Sequence, residues 1–280
     1  KNLYEKLGNY LSGMLDNMSS RGPDSAGFAI YNKKNSSRAY KYSVCFPSDF
    51  DVKKFESSVT NRFKDVLIKN ISDHLVISTI INPKTFLSFL EDNYKDLKII
   101  GYGKSIEIFK QVGNPKEIVK KFELKKLQGS HAIGHTRMAT ESAITLDGSH
   151  PYSTGEDECL VHNGSLSNHN NLRRNLIKKG KKFDSFNDTE VAAGYISNQL
   201  SKTKSMKKTL TKCLSNLDGF YTFIAGTKNG FAVLRDEIAC KPAVIAETND
   251  YVAVASEFQA MAHLPDVNKA NIYEPEPGVV

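Results

Sequence analysis

Beyond residue 126 the chain stops alternating strand with helix and sorts its elements into runs. "HAIGHTR" (131–137) and "ECLVHNG" (158–164) read as strands that end in polar residues. Two helical patterns follow, "NHNNLRRNLIKKG" and "DTEVAAGYISNQL". After Asp218-Gly219 come "FYTFIAGT", "GFAVLRD", "PAVIAET" and "YVAVAS", strands joined by tight turns at Lys228-Asn229-Gly230 and Asn249-Asp250. Strands grouped with strands and helices with helices predict a layered α+β domain.

The first half reads differently. Leu3, Leu7, Leu11, Met14, Leu15 and Met18 recur at helical spacing until Gly22-Pro23 stop the pattern. "AGFAIY" is a strand. Between about 44 and 126 the chain alternates: a strand, the helix "DVKKFESSVTNRF", the strand "HLVISTI" and the helix "PKTFLSFLEDNY". A strand pair, "LKIIGYGKSIEIFK", and the helix "PKEIVKKFEL" complete it. This stretch is expected to be a small αβ lobe inserted into the larger domain.

Several function classes fall away. The net charge of +7 comes from scattered lysine runs such as "NKKN" and "IKKGKK" with no aromatic platform between them. That pattern makes a solvated surface and gives no nucleic-acid partner. No apolar run approaches the ~18 residues of a membrane span. Cys45, Cys159, Cys213 and Cys240 are far apart with no CxxC pair, which fits reduced, buried structural thiols in cytoplasm. His131 and His135 sit on one strand face about 13 Å apart, too far to chelate one ion. "GYGKS" at 101–105 lacks the remaining glycines of a phosphate loop and is expected to be a hairpin turn.

Three short signals stand at element ends. Arg137 closes one strand, Asn163-Gly164 closes another, and Asp188-Thr189-Glu190 opens a helix. Taken singly, they fit a surface residue, a turn and an N-cap. In order, "RGPDSAGFAIY", "GHTRMAT", "SHP", "LVHNGSLSNHNNLR", "NDTEVAAGY", "LDGFYTFIAGT", "VLRDEIACKPAV" and "VASE" resemble the class II glutamine amidotransferases. These are Ntn hydrolases whose N-terminal cysteine frees ammonia from glutamine. The resemblance spans most of the chain outside the insert. It implies a four-layer αββα sandwich. "GHTRMATES", "LVHNGSLSNHN" and "IACKPAV" look most like the glutamate-synthase-like branch, including amidotransferase subunits of N-methylglutamate synthases.

The resemblance implies roles that the side-chain chemistry suits. Arg137 grips the α-carboxylate of glutamine in bidentate fashion, Thr140 adds a hydroxyl or main-chain N–H, and Asp188 takes the α-ammonium. The Asn163 side chain and the Gly164 N–H form an oxyanion hole, where one donor is worth about 3 kcal/mol. Arg21 and Asp24 brace the N-terminal strand, and His150 shapes the site. Arg235, Asp236, Lys241 and Pro242 hold the sandwich. The ammonia passes to a glutamate-synthase-like synthase subunit. The domain itself takes no cofactor, while FMN and an iron–sulfur centre belong to the partner.

The family nucleophile is the thiol of residue one, with that residue's own α-amino group, of pKa about 8, as the base. Here the sequence opens on Lys1-Asn2-Leu3, already at the helix, and none of its cysteines carries a free α-amino group. The expectation is therefore a trimmed piece whose first strand and cysteine precede Lys1. "EPEPGVV" likewise stops where the family pattern continues as a strand. The alternative is a non-catalytic glutamine-binding or assembly subunit. Glu141 and Met138 depart from the histidine and aromatic residue of several other branches, and both bear on the pocket rim.

Overall fold

The structure, a computed structural model, describes residues 3–32, 39–139 and 143–280. The leucines spaced by four form α1 (Leu3–Asn17), which buries Leu11 and Leu15. β1 (Ser25–Tyr31) follows and is buried along its whole length. The chain then builds a separate lobe from β2 (Tyr40–Cys45), α2 (Val52–Arg62), β3 (Leu67–Ile71), β4 (His74–Thr79), α3 (Pro83–Asn93) and β5 (Lys98–Gly103). Its strands lie antiparallel in the order β3-β4-β2-β5. Asp51 and Asn82 cap the two helices by accepting from the main-chain N–H of Lys54 and Lys84. Phe55, Val59, Phe86 and Leu90 then close over Tyr42, Val44, Leu75 and Ile77 as one core.

β6 (Ile106–Val112) returns to β1 and pairs with it antiparallel from Tyr31–Ile106 to Ser25–Val112. The lobe is thus the loop of a long β-hairpin. Its sheet covers residues 40–103, whereas the sequence pattern set the lobe at about 44–126. β5 and β6 are not the hairpin expected of "LKIIGYGKSIEIFK", because β5 pairs with β2 and β6 with β1. The cause is burial on both faces of β6. Ile106 and Ile108 point into the core between the main sheets, and Phe109 points to the outer helices. A strand apolar on both faces needs cover on both, and the sandwich supplies it.

α4 (Pro115–Lys121) follows, and β7 (His131–Arg137) pairs on the other side of β1, giving the sheet β6-β1-β7. A second main sheet, β11-β10-β9-β8, is made from β8 (Tyr152–Gly155), β9 (Glu158–Leu166), β10 (Gly219–Thr227) and β11 (Gly230–Arg235). Between β9 and β10 run α5 (His169–Ile177), α6 (Asp188–Thr203) and α7 (Met206–Asn216). The chain ends in a third sheet, β13-β12-β14, from β12 (Val244–Glu247), β13 (Val252–Ala255) and β14 (Asn271–Tyr273).

Strand alternation sets the layers. Ala29, Tyr31, Ile108 and Ile133 meet Cys159 and Val161 between the two main sheets. On the outer face of the first sheet, Phe28 and Phe109 meet Leu11 and Leu15 of α1 and Ile118 of α4. On the outer face of the second, Leu160, Tyr221 and Phe223 meet Val191, Ile196 and Leu210 of α6 and α7. The result is the expected α+β four-layer αββα sandwich. No helix among the described residues is long and apolar enough to cross a membrane.

Candidate active site

One cleft of about 890 Å³ collects the ends of β7, β9 and α6. It runs beside β7 from Gly129 to Met138 and beside β13 from Val252 to Ala255. Among the described residues both are edge strands, so both present main-chain groups that a sheet neighbour would satisfy. Leu3, Leu7 and Leu11 line one side, and Val161, Ile224 and Phe231 also contribute apolar surface. Two strand edges with apolar walls make a slot suited to an extended segment.

Arg137 stands at the end of β7 with only 7% of its surface exposed. Its Nη1 donates to the Ala143 carbonyl at 3.4 Å. Asp24 clips the backbone around it: the Asp24 N–H donates to the Arg137 carbonyl at 3.0 Å, and the Asp24 carboxylate accepts from Ala139 N–H at 2.8 Å. Arg21 is exposed and pairs with Glu257, tying this segment to the turn after β13. Thr140 and Glu141 lie outside the described residues, as do Lys1 and Asn2. Met138 is exposed beside the cleft.

Asn163 and Gly164 lie near the end of β9, opposite Thr222 and Tyr221 of β10. Gly164 has φ +147°, and a Cβ there would overlap the Phe220 carbonyl oxygen, so backbone geometry and space both demand glycine. Asp188 is the first helical residue of α6 and not its cap. That place belongs to Asn187, in extended conformation, whose side chain accepts from Thr189 N–H. Asp188 instead accepts from Leu166 N–H at 2.8 Å, which holds its carboxylate against β9.

Beneath these residues is a cluster that the separate motifs did not reveal. His150 and His162 are buried, and the half-buried His135 packs with them. The rings of His135 and His150 stack 4.1 Å apart, and His135 Nε2 donates to the His162 carbonyl at 2.9 Å. His150 Nε2 and His162 Nδ1 both lie 2.9 Å from the Thr189 hydroxyl. Burial pushes His135 and His162 down to about 4, with Asp188 opposing the shift at His162, and drives His150 well below the usual range. All three are neutral at pH 7. Their only sequence signal is adjacency, since each sits within or beside "GHTR", "SHP" or "VHNG".

His131 takes a separate course: its Nε2 donates to the Thr227 carbonyl at 2.7 Å, and its ring stacks on Tyr31. Among the described residues no cluster of three His, Cys, Asp or Glu is placed to hold a metal. The "GYGKS" loop holds an anion of the protein's own. Ser105 N–H, Ser105 Oγ and Ile106 N–H all donate to the Asp157 carboxylate, at 2.7–3.0 Å.

Cys45, Cys159 and Cys213 are buried, and burial raises their thiols to about 11, 11 and 12, so none is a thiolate at neutral pH. Cys240 corrects the expectation of a buried thiol. It is exposed, on a turn after β11 that Arg235 and Asp236 hold by hydrogen bonds to the backbone of Ile238 and Ala239. Lys241 and Pro242, expected only to hold the sandwich, line the cleft.

A family model described as a glutamine amidotransferase domain matches residues 135–263. A glutamine amidotransferase-like protein, GlxB of Rhizobium meliloti (strain 1021), is 48% identical over 99% of this chain and 93% of its own. A putative glutamine amidotransferase of Methanothermobacter thermautotrophicus is 30% identical over 96% and 92%. Among solved structures, the glutamine phosphoribosylpyrophosphate amidotransferase of B. subtilis, complexed with ADP and GMP, superposes with a TM-score of 0.63. The identity is 22%, over 98% of this chain and 44% of that one, which is a likeness of fold. This chain therefore spans less than half of that enzyme.

Proposed function

The chain belongs to the class II glutamine amidotransferases, and from that premise we propose that it frees ammonia from the side-chain amide of glutamine for a synthase partner. The observation that supports this is the meeting of Arg137, Asn163, Gly164 and Asp188 along one cleft. Arg137 pairs with the α-carboxylate and Asp188 with the α-ammonium, so only the amide end reaches the oxyanion donors. Thr140 adds a further donor to the carboxylate end.

The nucleophile is a cysteine with a free α-amino group, carried on an extended segment seated between β7 and β13. Its sulfur attacks the amide carbon while the α-amino group takes the thiol proton. Negative charge builds on the carbonyl oxygen, where Asn163 and Gly164 donate hydrogen bonds. That proton passes to the leaving nitrogen, ammonia departs, and water hydrolyses the thioester to glutamate. The likeness of "GHTRMATES" and "IACKPAV" to the glutamate-synthase-like branch, including N-methylglutamate synthases, supports a partner of that kind. In this reading any FMN or iron–sulfur centre sits in the partner.

Treatment of the native protein with 6-diazo-5-oxo-norleucine, a diazo-ketone analogue of glutamine, tests the reading. Peptide mapping is expected to find the adduct on an N-terminal cysteine. Glutamine binding without any adduct favours a non-catalytic subunit, and an adduct on Cys240 overturns the mechanism. In an active preparation, Asn163→Ala is expected to lower kcat by about 10²–10³ with glutamine affinity little changed.

A further inference from the structure

We infer that Thr189 is a positioning residue whose single hydroxyl locks the oxyanion strand β9 to the carboxylate that receives the α-ammonium. The inference rests on the amidotransferase reading of the cleft. Three side chains from three segments converge on Thr189 Oγ1. His162 Nδ1 comes from β9 at 2.9 Å, His150 Nε2 from the loop before β8 at 2.9 Å, and Asp188 Oδ1 from α6 at 3.4 Å. His162 immediately precedes Asn163, so whatever fixes its ring fixes the oxyanion donor beside it.

Proton accounting makes this one joint. A hydroxyl has one proton to give and two lone pairs to offer. His162 Nδ1 also lies 3.8 Å from Asp188 Oδ1, so a bare nitrogen there would turn its lone pair toward a carboxylate. The nearby carboxylate outweighs the Phe220 carbonyl that also favours a ring N–H, which places the His162 proton on Nδ1, donated to Thr189. The hydroxyl proton then goes either to His150 Nε2 or to Asp188 Oδ1. Giving it to His150 would move that ring's proton onto Nδ1, which is buried with no protein partner. An orphaned buried N–H is costlier than an orphaned lone pair, and a carboxylate is the stronger acceptor. Thr189 thus donates to Asp188 and accepts from both histidines. Consistently, His150 Nδ1 and His135 Nδ1 are left without a protein partner. Low proton affinity keeps all three rings neutral, so the arrangement holds at neutral pH.

Because the rings are buried and Thr189 N–H is itself held by Asn187, the lock has little freedom to reform around a different group. Thr189→Val keeps the shape and removes the hydroxyl; Thr189→Ser keeps the hydroxyl and removes the methyl. Two readouts separate positioning from mere stability. In the native protein, imidazole nitrogen NMR is expected to show His162 as the Nδ1–H tautomer and His150 as the Nε2–H tautomer. In Thr189→Val the His150 assignment is lost. Glutaminase assays are expected to show kcat lowered at least about tenfold in Thr189→Val, with KM for glutamine altered far less, and Thr189→Ser close to the parent. Opposite tautomers in the native protein overturn the lock. So does a Thr189→Val enzyme with unchanged kcat, or a Thr189→Ser enzyme as impaired as Thr189→Val. A native protein that neither binds nor hydrolyses glutamine overturns the amidotransferase reading itself, a separate failure visible before any variant is made.

Discussion

Single residues in this cleft carry a measurable acid sensitivity. The folded state holds His135 and His162 near 4 by burial, and His150 well below its usual range, while an unfolded histidine titrates at about 6.5. Between those values the unfolded chain binds more protons than the folded one, so stability falls as pH drops below about 6.5 and levels off below the folded values. Each histidine contributes a slope of about 1.4 kcal/mol per pH unit in that window. Asp188 opposes the shift at His162, while Arg137 and Lys241 reinforce the shifts around it. Urea denaturation at pH 7.5 and 5.0 should show the loss, and His135→Gln should flatten the slope; equal midpoints at both pH values would contradict it. At this scale the sequence was informative where chemistry follows from residue type. Arg137, Asn163, Gly164 and Asp188 stand out through the order of their motifs, which resembles the class II amidotransferases; taken singly they fit a surface residue, a turn and an N-cap. Thr189 and the histidines do not, because a buried polar network is defined by partners distant in sequence. The capping reading of Asp188, one of two the sequence allows, gives way to Asn187, since both are good capping types and only backbone conformation separates them.

Elements were read best where apolar periodicity was long. Helix α1 and strands β7, β9, β10 and β11 follow it directly. Strand β3, with its burial partial at most, and the three-residue β14 offer too little pattern to read. The junction between β5 and β6 was misread because two consecutive apolar strands with glycines between them look like a hairpin whichever sheets they join. Two-sided burial of β6 decides the matter, and Asp157, more than fifty positions away, holds the junction in place as its carboxylate accepts from the N–H groups of Ser105 and Ile106. Asp157→Ala would leave these buried donors unpaired and is expected to cost about 2–4 kcal/mol. Asp157→Asn keeps an acceptor oxygen and tolerates the positive φ of this position, so it should cost clearly less. Comparing denaturation midpoints of the two variants checks the ranking, and a milder Ala would refute it.

Across the whole molecule, the lobe and the sandwich are joined by polar as well as apolar contacts. Lys41 of β2 and Glu107 of β6 form a largely buried ion pair at 2.6 Å, and Ser43 Oγ accepts from Ile108 N–H at 2.9 Å. Glu107→Gln would leave the Lys41 ammonium buried without its counter-charge, at an expected cost of about 3–5 kcal/mol. The Lys41→Met, Glu107→Leu double variant should recover most of that. Thermal or urea unfolding measures both, and a double variant no better than Glu107→Gln would mean that the pair does more than neutralise itself. The same connection has a bearing on modularity. The lobe departs after Tyr31 and re-enters at Ile106, two residues that face each other across a ladder. Its ends are therefore neighbours, so the sandwich has a socket at which a compact module can be exchanged for a short turn or another small domain. Lineages sharing this sandwich are free to vary what they carry there, and an engineer has a place to graft a reporter without crossing the β9–α6 face.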